Sequence, residues 1–545
     1  MWDNTTKHLT KHPLICYIHV SIILQSIINW GVHGFYDTFE YDTWVYIVNK
    51  NDFHGRVAEL KLLDELWELP TATLLILYGR RRVGKTRLLT HWLGRHPGRA
   101  IYWVAEPSSA LHQLRSFSQT IYNFSHPHAP APRDFTYASW EQAFAEVAQL
   151  AREERLALFI DEVTYLIDVD ASIVGMLQKV WDHTLKQTRL KLALAGSQRG
   201  LMEREVISYQ APLYGRATAQ IELPPLPFAV VGRFFPEYDL REWVQIYAMF
   251  GGVPAYWERL DTSVSIIENV RLQLLTPNTL MQEEPRLLLQ DFISDTHNYV
   301  SILQAIAQGA QTQLDISRHT GLSQGHVSKY LSVLRDSDFV ERQVPVTESS
   351  RKSRRGHYYI TDPYLRFYYR FLATQQTQVA LGAPRQALTY LEENFPSFIE
   401  TYTWRELCRE WLMGASSSGE MLIRLEDVGG AWTNKYSVEV AGINRMEKRL
   451  VLGTCCWQDA PADGPVLRHL IAETSYFVPK FGEWTVDFIG FSASGWTTEA
   501  RALAHTVKQT RESGTNWQTV DFHLLDLENV HADLARWTPA ASEAD

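Results

Sequence analysis

Residues 79–86 read Gly79-Arg80-Arg81-Arg82-Val83-Gly84-Lys85-Thr86. Glycines at this spacing let successive backbone N–H groups curl around a phosphate, and a helix that starts there adds positive potential. Lys85 can then reach β- and γ-phosphates, and the Thr86 hydroxyl can take a Mg²⁺ position. Such a loop calls for ATP and Mg²⁺, with contacts expected along Arg80, Arg81, Arg82, Val83 and Arg87 as well. An acidic pair, Asp161-Glu162, closes a second apolar run about 75 residues later. There Asp161 would hold Mg²⁺ through water, and Glu162 would polarise the attacking water as a general base.

Both motifs need strands to place them. Thr73–Tyr78 (TLLILY) is a continuous apolar run of strand length, as expected of a parallel sheet buried on both faces. The glycine loop follows at once, and Arg87–Leu93 then has a helical pattern. Leu156–Ile160 reads as a second buried strand ahead of the acidic pair. Leu190–Ala195 reads as a third, followed by Gly196-Ser197. Ligands of parallel sheets bind at the carboxyl ends of strands, so Ser197 or Gln198 is a candidate γ-phosphate sensor.

The whole chain has 545 residues, enough for three or four domains at ~100–200 residues each. Apolar residues make up 45%, charged residues 21% and aromatics 12%, which is globular composition and argues against extended disorder. The net charge of −10 restricts any nucleic-acid contact to a local patch. The four cysteines (Cys16, Cys408, Cys455 and Cys456) form neither a disulfide framework nor a CxxC site, which fits a reducing cytoplasm. Leu14–Trp30 resembles a membrane anchor, but it contains His19, Ser21, Gln25, Ser26 and Asn29 and is short for a span. Residues 1–50 are therefore read as an uncertain N-terminal extension or a wrongly chosen start, with no membrane partner expected.

A wider set of segments carries a family resemblance: Phe53-His54-Gly55-Arg56 with Glu59-Leu60, the GRRRVGKTRL loop, the FIDE strand end, AGS, PLYGR, and Phe250-Gly251-Gly252-Val253-Pro254-Ala255-Tyr256. Together they resemble the archaeal-type ATPases, a branch of the STAND group of AAA-related P-loop ATPases, over residues 53 to about 500. The resemblance implies that Arg56 helps hold the base and ribose, that Pro254 packs near adenine, and that Arg216 stabilises charge during phosphoryl transfer.

Residues 299–342 read as a helix-turn-helix. Gly321 sits in the turn and Ser323 is a good N-cap for the second helix. Val327, Leu331 and Leu334 share one face, leaving Gln324, His326, Ser328 and Lys329 to face outward as in a recognition helix. A wing hairpin begins at Phe339, and Arg351-Lys352-Ser353-Arg354-Arg355 is the densest basic run in the chain. Duplex DNA contact is expected through residues 323–332 and 351–355. The competing expectation is a nucleotide-dependent packing module that meets a protein partner. Tyr358–Phe371 is similar to the YxIxDPfLrFwyrF signature of the same family, and its aromatic stripe reads as core.

The resemblance also implies a C-terminal domain similar to PD-(D/E)XK nucleases. Here its metal-binding positions are changed. Arg405 falls where the family has glutamate, Glu439 stands at the aspartate place, Thr454 replaces the metal-binding Glu and Cys456 the Lys. A lone carboxylate is a poor Mg²⁺ site, so a retained fold without cleavage is expected. Cys455 and Cys456, adjacent on a strand, should point to opposite faces.

The resulting expectation is an α/β protein: a P-loop NTPase parallel sheet (51–225), a helical lid (226–298), a winged helix (299–375), a degenerate nuclease-like domain (376–525) and a tail (526–545). The expected function is a cytoplasmic ATP-binding switch with slow hydrolysis, with a protein partner or homo-oligomer possible. A scaffold with structural ATP is the alternative, and an active Mg²⁺-dependent nuclease is disfavoured.

Overall fold

The computed structural model describes residues 53–95, 99–290, 296–349, 353–381, 383–421, 423–508 and 515–538. The expectations for residues 1–50, and for Arg351 and Lys352, lie outside the described residues. No helix among the described residues is long and apolar enough to cross a membrane.

The three apolar runs form strands as expected: β1 (Thr73–Tyr78), β3 (Leu156–Asp161) and β4 (Leu190–Gly196), joined by β2 (Ala100–Val104) and β5 (Ala219–Glu222). All pair in parallel, in the order β2-β3-β4-β1-β5. Strand β4 thus lies between β1 and β3, so the glycine loop, Ser197 and the acidic pair emerge along one sheet edge. One face is covered by the helix Lys85–Arg95, whose Trp92 meets Phe159 at 5.7 Å between rings. On the other, Phe117 and Trp140 pack on Trp103 at 5.1 and 6.1 Å. Ser109 and Ser139 cap the two helices that carry these aromatics. Each apolar side chain so buried contributes about 1.5–3 kcal/mol.

A lysine is also buried within this sheet. Lys191 on β4 is 5% exposed and its ammonium donates to the carbonyls of Leu69 and Thr71, both at 2.7 Å. Burial lowers its pKa to about 8. Between that pH and the ordinary lysine value the unfolded chain holds a proton that the folded chain lacks, so stability at this site rises with pH across that window. In urea unfolding, the stability of the protein relative to Lys191→Met should therefore improve from about pH 7.5 to about pH 9.5. A difference that stays flat or shrinks would refute this account.

The lid helices Leu240–Phe250, Ile266–Leu274 and Leu280–Gln290 lead into the helix-turn-helix. There Thr312 caps Gln313–Thr320, Gly321 ends it at φ 72°, and Ser323 caps Gln324–Asp336. Val327, Leu331 and Leu334 are buried, while Gln324, His326, Ser328 and Lys329 are exposed. The wing follows as β6 (Val340–Gln343) antiparallel to β7 (His357–Ile360). The sequence divides lid, winged helix and C-terminal region into separate units. Instead, one continuous core runs through all three, from Leu226 to Leu534. The aromatic stripe lies within it: Phe367 and Phe371 meet Phe398 at 6.1 and 5.2 Å, while Tyr364 faces Phe250 at 6.0 Å. A short winged helix cannot bury a stripe this wide alone, so its neighbours close over it.

The C-terminal sheet comprises β8 (Asp427–Trp432), β9 (Ser437–Asn444), β10 (Arg449–Cys456), β11 (Trp484–Ser492) and β12 (Trp517–Asp526), in the order β12-β11-β10-β9-β8. Strands β8, β9 and β10 are antiparallel; β11 and β12 run parallel to β10. Cys455 and Cys456 lie in different cores, on opposite faces of β10. Of the segment 526–545, read as a tail, the described residues 526–538 pack onto the C-terminal region. Asp526 and Asn529 form a capping box for the helix Leu527–Trp537, Val530 and Leu534 are buried, and Asp533 accepts from the Trp411 indole at 2.8 Å. Leu527, Val530 and Leu534 already had the helical spacing that signals this.

Candidate functional site

The glycine loop has the shape its residues allow. Gly79 adopts φ 151°, and a Cβ there would lie 2.5 Å from the Leu223 carbonyl, so only glycine fits. Arg82 and Gly84 also take positive φ, 68° and 97°. This turns the loop's backbone N–H groups toward a common hollow at the start of the helix Lys85–Arg95. The Lys85 ammonium donates to the carbonyls of Gly79 (2.9 Å) and Arg80 (3.0 Å). Burial lowers its pKa, opposed by the nearby Glu162 and Asp161. Arg56, at φ 66°, donates to the carbonyls of Val83 (3.1 Å) and Pro224 (2.5 Å). Its guanidinium is thus committed to bracing the loop backbone, a different task from the base and ribose contact expected of it.

The acidic end is close by. The Thr86 hydroxyl donates to Asp161 Oδ2 at 2.6 Å, and Asp161 is 1% exposed. The same oxygen accepts the Tyr102 hydroxyl at 2.6 Å, and Oδ1 accepts the Glu162 N–H at 2.9 Å. Glu162 has φ 52°, a strained conformation for a residue with a side chain. Its carboxylate accepts from the Ser197 hydroxyl at 2.6 Å. The structure therefore brings Lys85, Thr86, Asp161, Glu162 and Ser197 together. Ser197 reaches the acidic pair because β4 sits between β1 and β3. Tyr102 was missed from the sequence, because a tyrosine in an apolar strand looks like packing.

The arginines of the loop point elsewhere. Arg80 is ion-paired with Asp362 and donates to the Tyr256 hydroxyl at 3.1 Å. Arg82 pairs with Glu284 at 2.7 Å, and the other Glu284 oxygen accepts from Tyr256 at 2.8 Å. Arg81 donates to the Tyr165 hydroxyl at 2.6 Å, and Arg87 pairs with Glu258. All four arginine side chains are thus engaged by other residues, which leaves the loop N–H groups, including those of Arg81, Arg82 and Val83, for a phosphate. Glu284 is 1% exposed, and this burial raises its pKa against the pull of Arg82. Pro254 opens the short helix Pro254–Trp257 that carries Tyr256, and Gly252 allows the close approach, since a Cβ there would fall 1.8 Å from the Leu226 carbonyl. Pro254 thus orients Tyr256 in this network. Arg216 is not brought to the loop: Asp182 holds it through contacts of 2.7 and 2.9 Å.

The outward face of the helix Gln324–Asp336 is open, and the Arg354 and Arg355 side chains are exposed, while the flanks of the wing pack against the C-terminal sheet. The Val346 N–H donates to the Gly430 carbonyl at 3.0 Å, the Trp432 indole to the Arg355 carbonyl at 2.9 Å, and His357 stacks on Trp432 at 4.7 Å. Arg355 also pairs with Glu348.

In the C-terminal sheet, burial raises the Glu439 carboxyl above its usual range and pushes the Cys456 thiol up to about 12. Glu400 adds to both effects and accepts the Trp457 N–H at 2.8 Å. Arg405, which stands where the family has glutamate, also acts on the Glu439 carboxyl and opposes the effect of Glu400. Arg409 donates to the Glu439 carbonyl at 2.9 Å. Among the described residues, no group of three or more His, Cys, Asp or Glu side chains is placed to share a metal ion.

Comparison with known proteins agrees with the first of these sites. Residues 53–260 match a family described as an ATPase domain predominantly from Archaea. Residues 299–342 match a bacterial regulatory protein family of the arsR type, and residues 368–466 match archaeal and bacterial proteins of unknown function. A protein of Methanocaldococcus jannaschii, described as uncharacterized, is 26% identical over 75% of this chain and 88% of its own length. An ATP-binding protein of the same organism is 51% identical over 41 residues, 8% of this chain and 70% of that protein. Among solved structures, a Walker-type ATPase of Pyrococcus abyssi is similar at 20% identity and a TM-score of 0.44, over 58% of this chain and 96% of that one. The Aeropyrum pernix ORC1 protein in complex with DNA is similar at 14% identity and a TM-score of 0.33, over 62% of this chain and 97% of that one.

Proposed function

We propose that the protein, whose residues 53–260 match an ATPase domain predominantly from Archaea, is an ATP-binding, slowly hydrolysing switch of the STAND type that acts in the cytoplasm. Bound ATP with Mg²⁺ supplies a γ-phosphoryl group for transfer to water. Lys85 and the loop N–H groups hold the phosphates, and Thr86 and Asp161 hold the metal. Glu162 takes the proton of the attacking water, with Ser197 setting its orientation. The winged helix presents its exposed helix face to duplex DNA, or to a protein partner.

The observation that carries the switch is the pair of arginines in the loop. Arg80 and Arg82 tie the phosphate-binding loop to Asp362, just beyond the wing, and to Glu284, just before the helix-turn-helix. Any rearrangement of the loop around phosphates is felt on both sides of the winged helix. ATP turnover measured with and without duplex DNA tests the coupling, and a scaffold with structural ATP would show no response. Glu284→Gln keeps an acceptor for Tyr256 but removes the charge facing Arg82. It should raise basal turnover about three- to tenfold and abolish any response to DNA, consistent with coupling energies of ~1–3 kcal/mol. Unchanged coupling in this variant would remove the arginine tie from the reading.

For the C-terminal domain, the order helix, three antiparallel strands, helix, parallel strand supports a nuclease-like fold. Thr454 and Cys456, in place of a carboxylate and a lysine, support the absence of cleavage.

A further inference from the structure

Tyr102 stands on β2, the edge strand beside β3. Val104 lies opposite Asp161 in the parallel register, and Tyr102, two residues earlier, shares its face. Trp103, between them, faces the other core, against Phe117 and Trp140. The Tyr102 ring is only partly buried, and a phenylalanine would fill the same space. What the tyrosine adds is a hydroxyl 2.6 Å from Asp161 Oδ2. Thr86 donates to that same oxygen at 2.6 Å, and the Glu162 N–H holds Oδ1 at 2.9 Å. These are short, charge-assisted bonds.

Three donors therefore fix the carboxylate before any metal arrives. Thr86 is also the hydroxyl that must turn a lone pair toward Mg²⁺, so it is the donor whose geometry has to adjust on loading. Tyr102 comes from a different strand and makes no such adjustment. We propose that Tyr102 is a positioning residue that holds Asp161 in its metal-ready orientation and thereby sets the Mg²⁺ affinity of the nucleotide site. This rests on the ATP-site reading above. Outer-shell partners of this kind change metal affinity by about 10–100-fold, and the lower end applies here because two donors remain.

The test is binding of a fluorescent ADP to the full-length protein and to Tyr102→Phe. Affinity is measured first in EDTA and then during titration with Mg²⁺ and, separately, Mn²⁺. With Phe, affinity in EDTA should stay within about twofold, while the metal concentration for half-maximal tightening rises about tenfold. Turnover at saturating Mg²⁺ should recover most of its original value. The EDTA measurement also reports that the variant is folded. If both proteins share one half-saturating Mg²⁺ concentration, Tyr102 has no such role, and the ATP-site reading is untouched. A variant that loses equal affinity with and without metal would make Tyr102 a packing residue and overturn the proposal. If the unaltered protein binds the nucleotide with no metal dependence, the metal site itself is wrong and both readings fall.

Discussion

Glu162→Gln should lower ATP turnover by about two to four orders of magnitude, the usual contribution of a positioned general base, while ATP affinity stays within a few-fold. Glutamine occupies the same volume and can still accept from the Ser197 hydroxyl, which meets Glu162 at 2.6 Å. It cannot take a proton from water. The left-handed backbone at Glu162, φ 52°, is set by the turn after β3 and by the bond from its own N–H to Asp161, neither of which involves the carboxylate. The substitution therefore removes chemistry and leaves geometry. Phosphate release under single-turnover conditions, with nucleotide affinity measured in parallel, separates the two. Undiminished turnover would show that Glu162 is not the base. Equal loss of binding and turnover would assign it to holding nucleotide.

Lys85→Ala should weaken ATP binding by at least about two orders of magnitude, since removing one partner of a buried charge pair costs ~3–5 kcal/mol. Lys85 is 5% exposed, and its ammonium donates to the loop carbonyls of Gly79 and Arg80. A phosphate in the hollow would replace these weak neutral partners with a full negative charge, and the burial that depresses the Lys85 pKa would then strengthen the attraction. Isothermal titration with ATP and Mg²⁺ measures the loss. A thermal melt without nucleotide should change little, because the loop shape is fixed by Gly79, Gly84 and the Arg56 brace. Retained ATP binding in this variant would place the nucleotide elsewhere.

The nucleotide site was legible because its parts are local. Strand, GxxxxGKT and helix follow one another within about twenty residues, and each local preference agrees with the next. The helix-turn-helix was legible for the same reason: Thr312, Gly321 and Ser323 declare its boundaries without help from the rest of the chain. What the arginines do was not legible. Nothing near Arg80 or Arg82 in sequence announces Asp362 or Glu284 as partners, and a basic run beside a phosphate loop invites the assumption that it meets phosphate.

Motif chemistry is written in contiguous residues, so the sequence alone determined that this chain carries a glycine-rich P-loop, an acidic pair at the end of a buried strand and a winged helix. Only the tertiary structure decided that Tyr102 shares Asp161 with Thr86, that the wing is pinned to Trp432 and Gly430, and that lid, winged helix and C-terminal region share one core. Those outcomes depend on which strand lies beside which and on which apolar faces remain uncovered. Sheet order and the burial of leftover surface are settled between distant segments, where sequence periodicity carries no information.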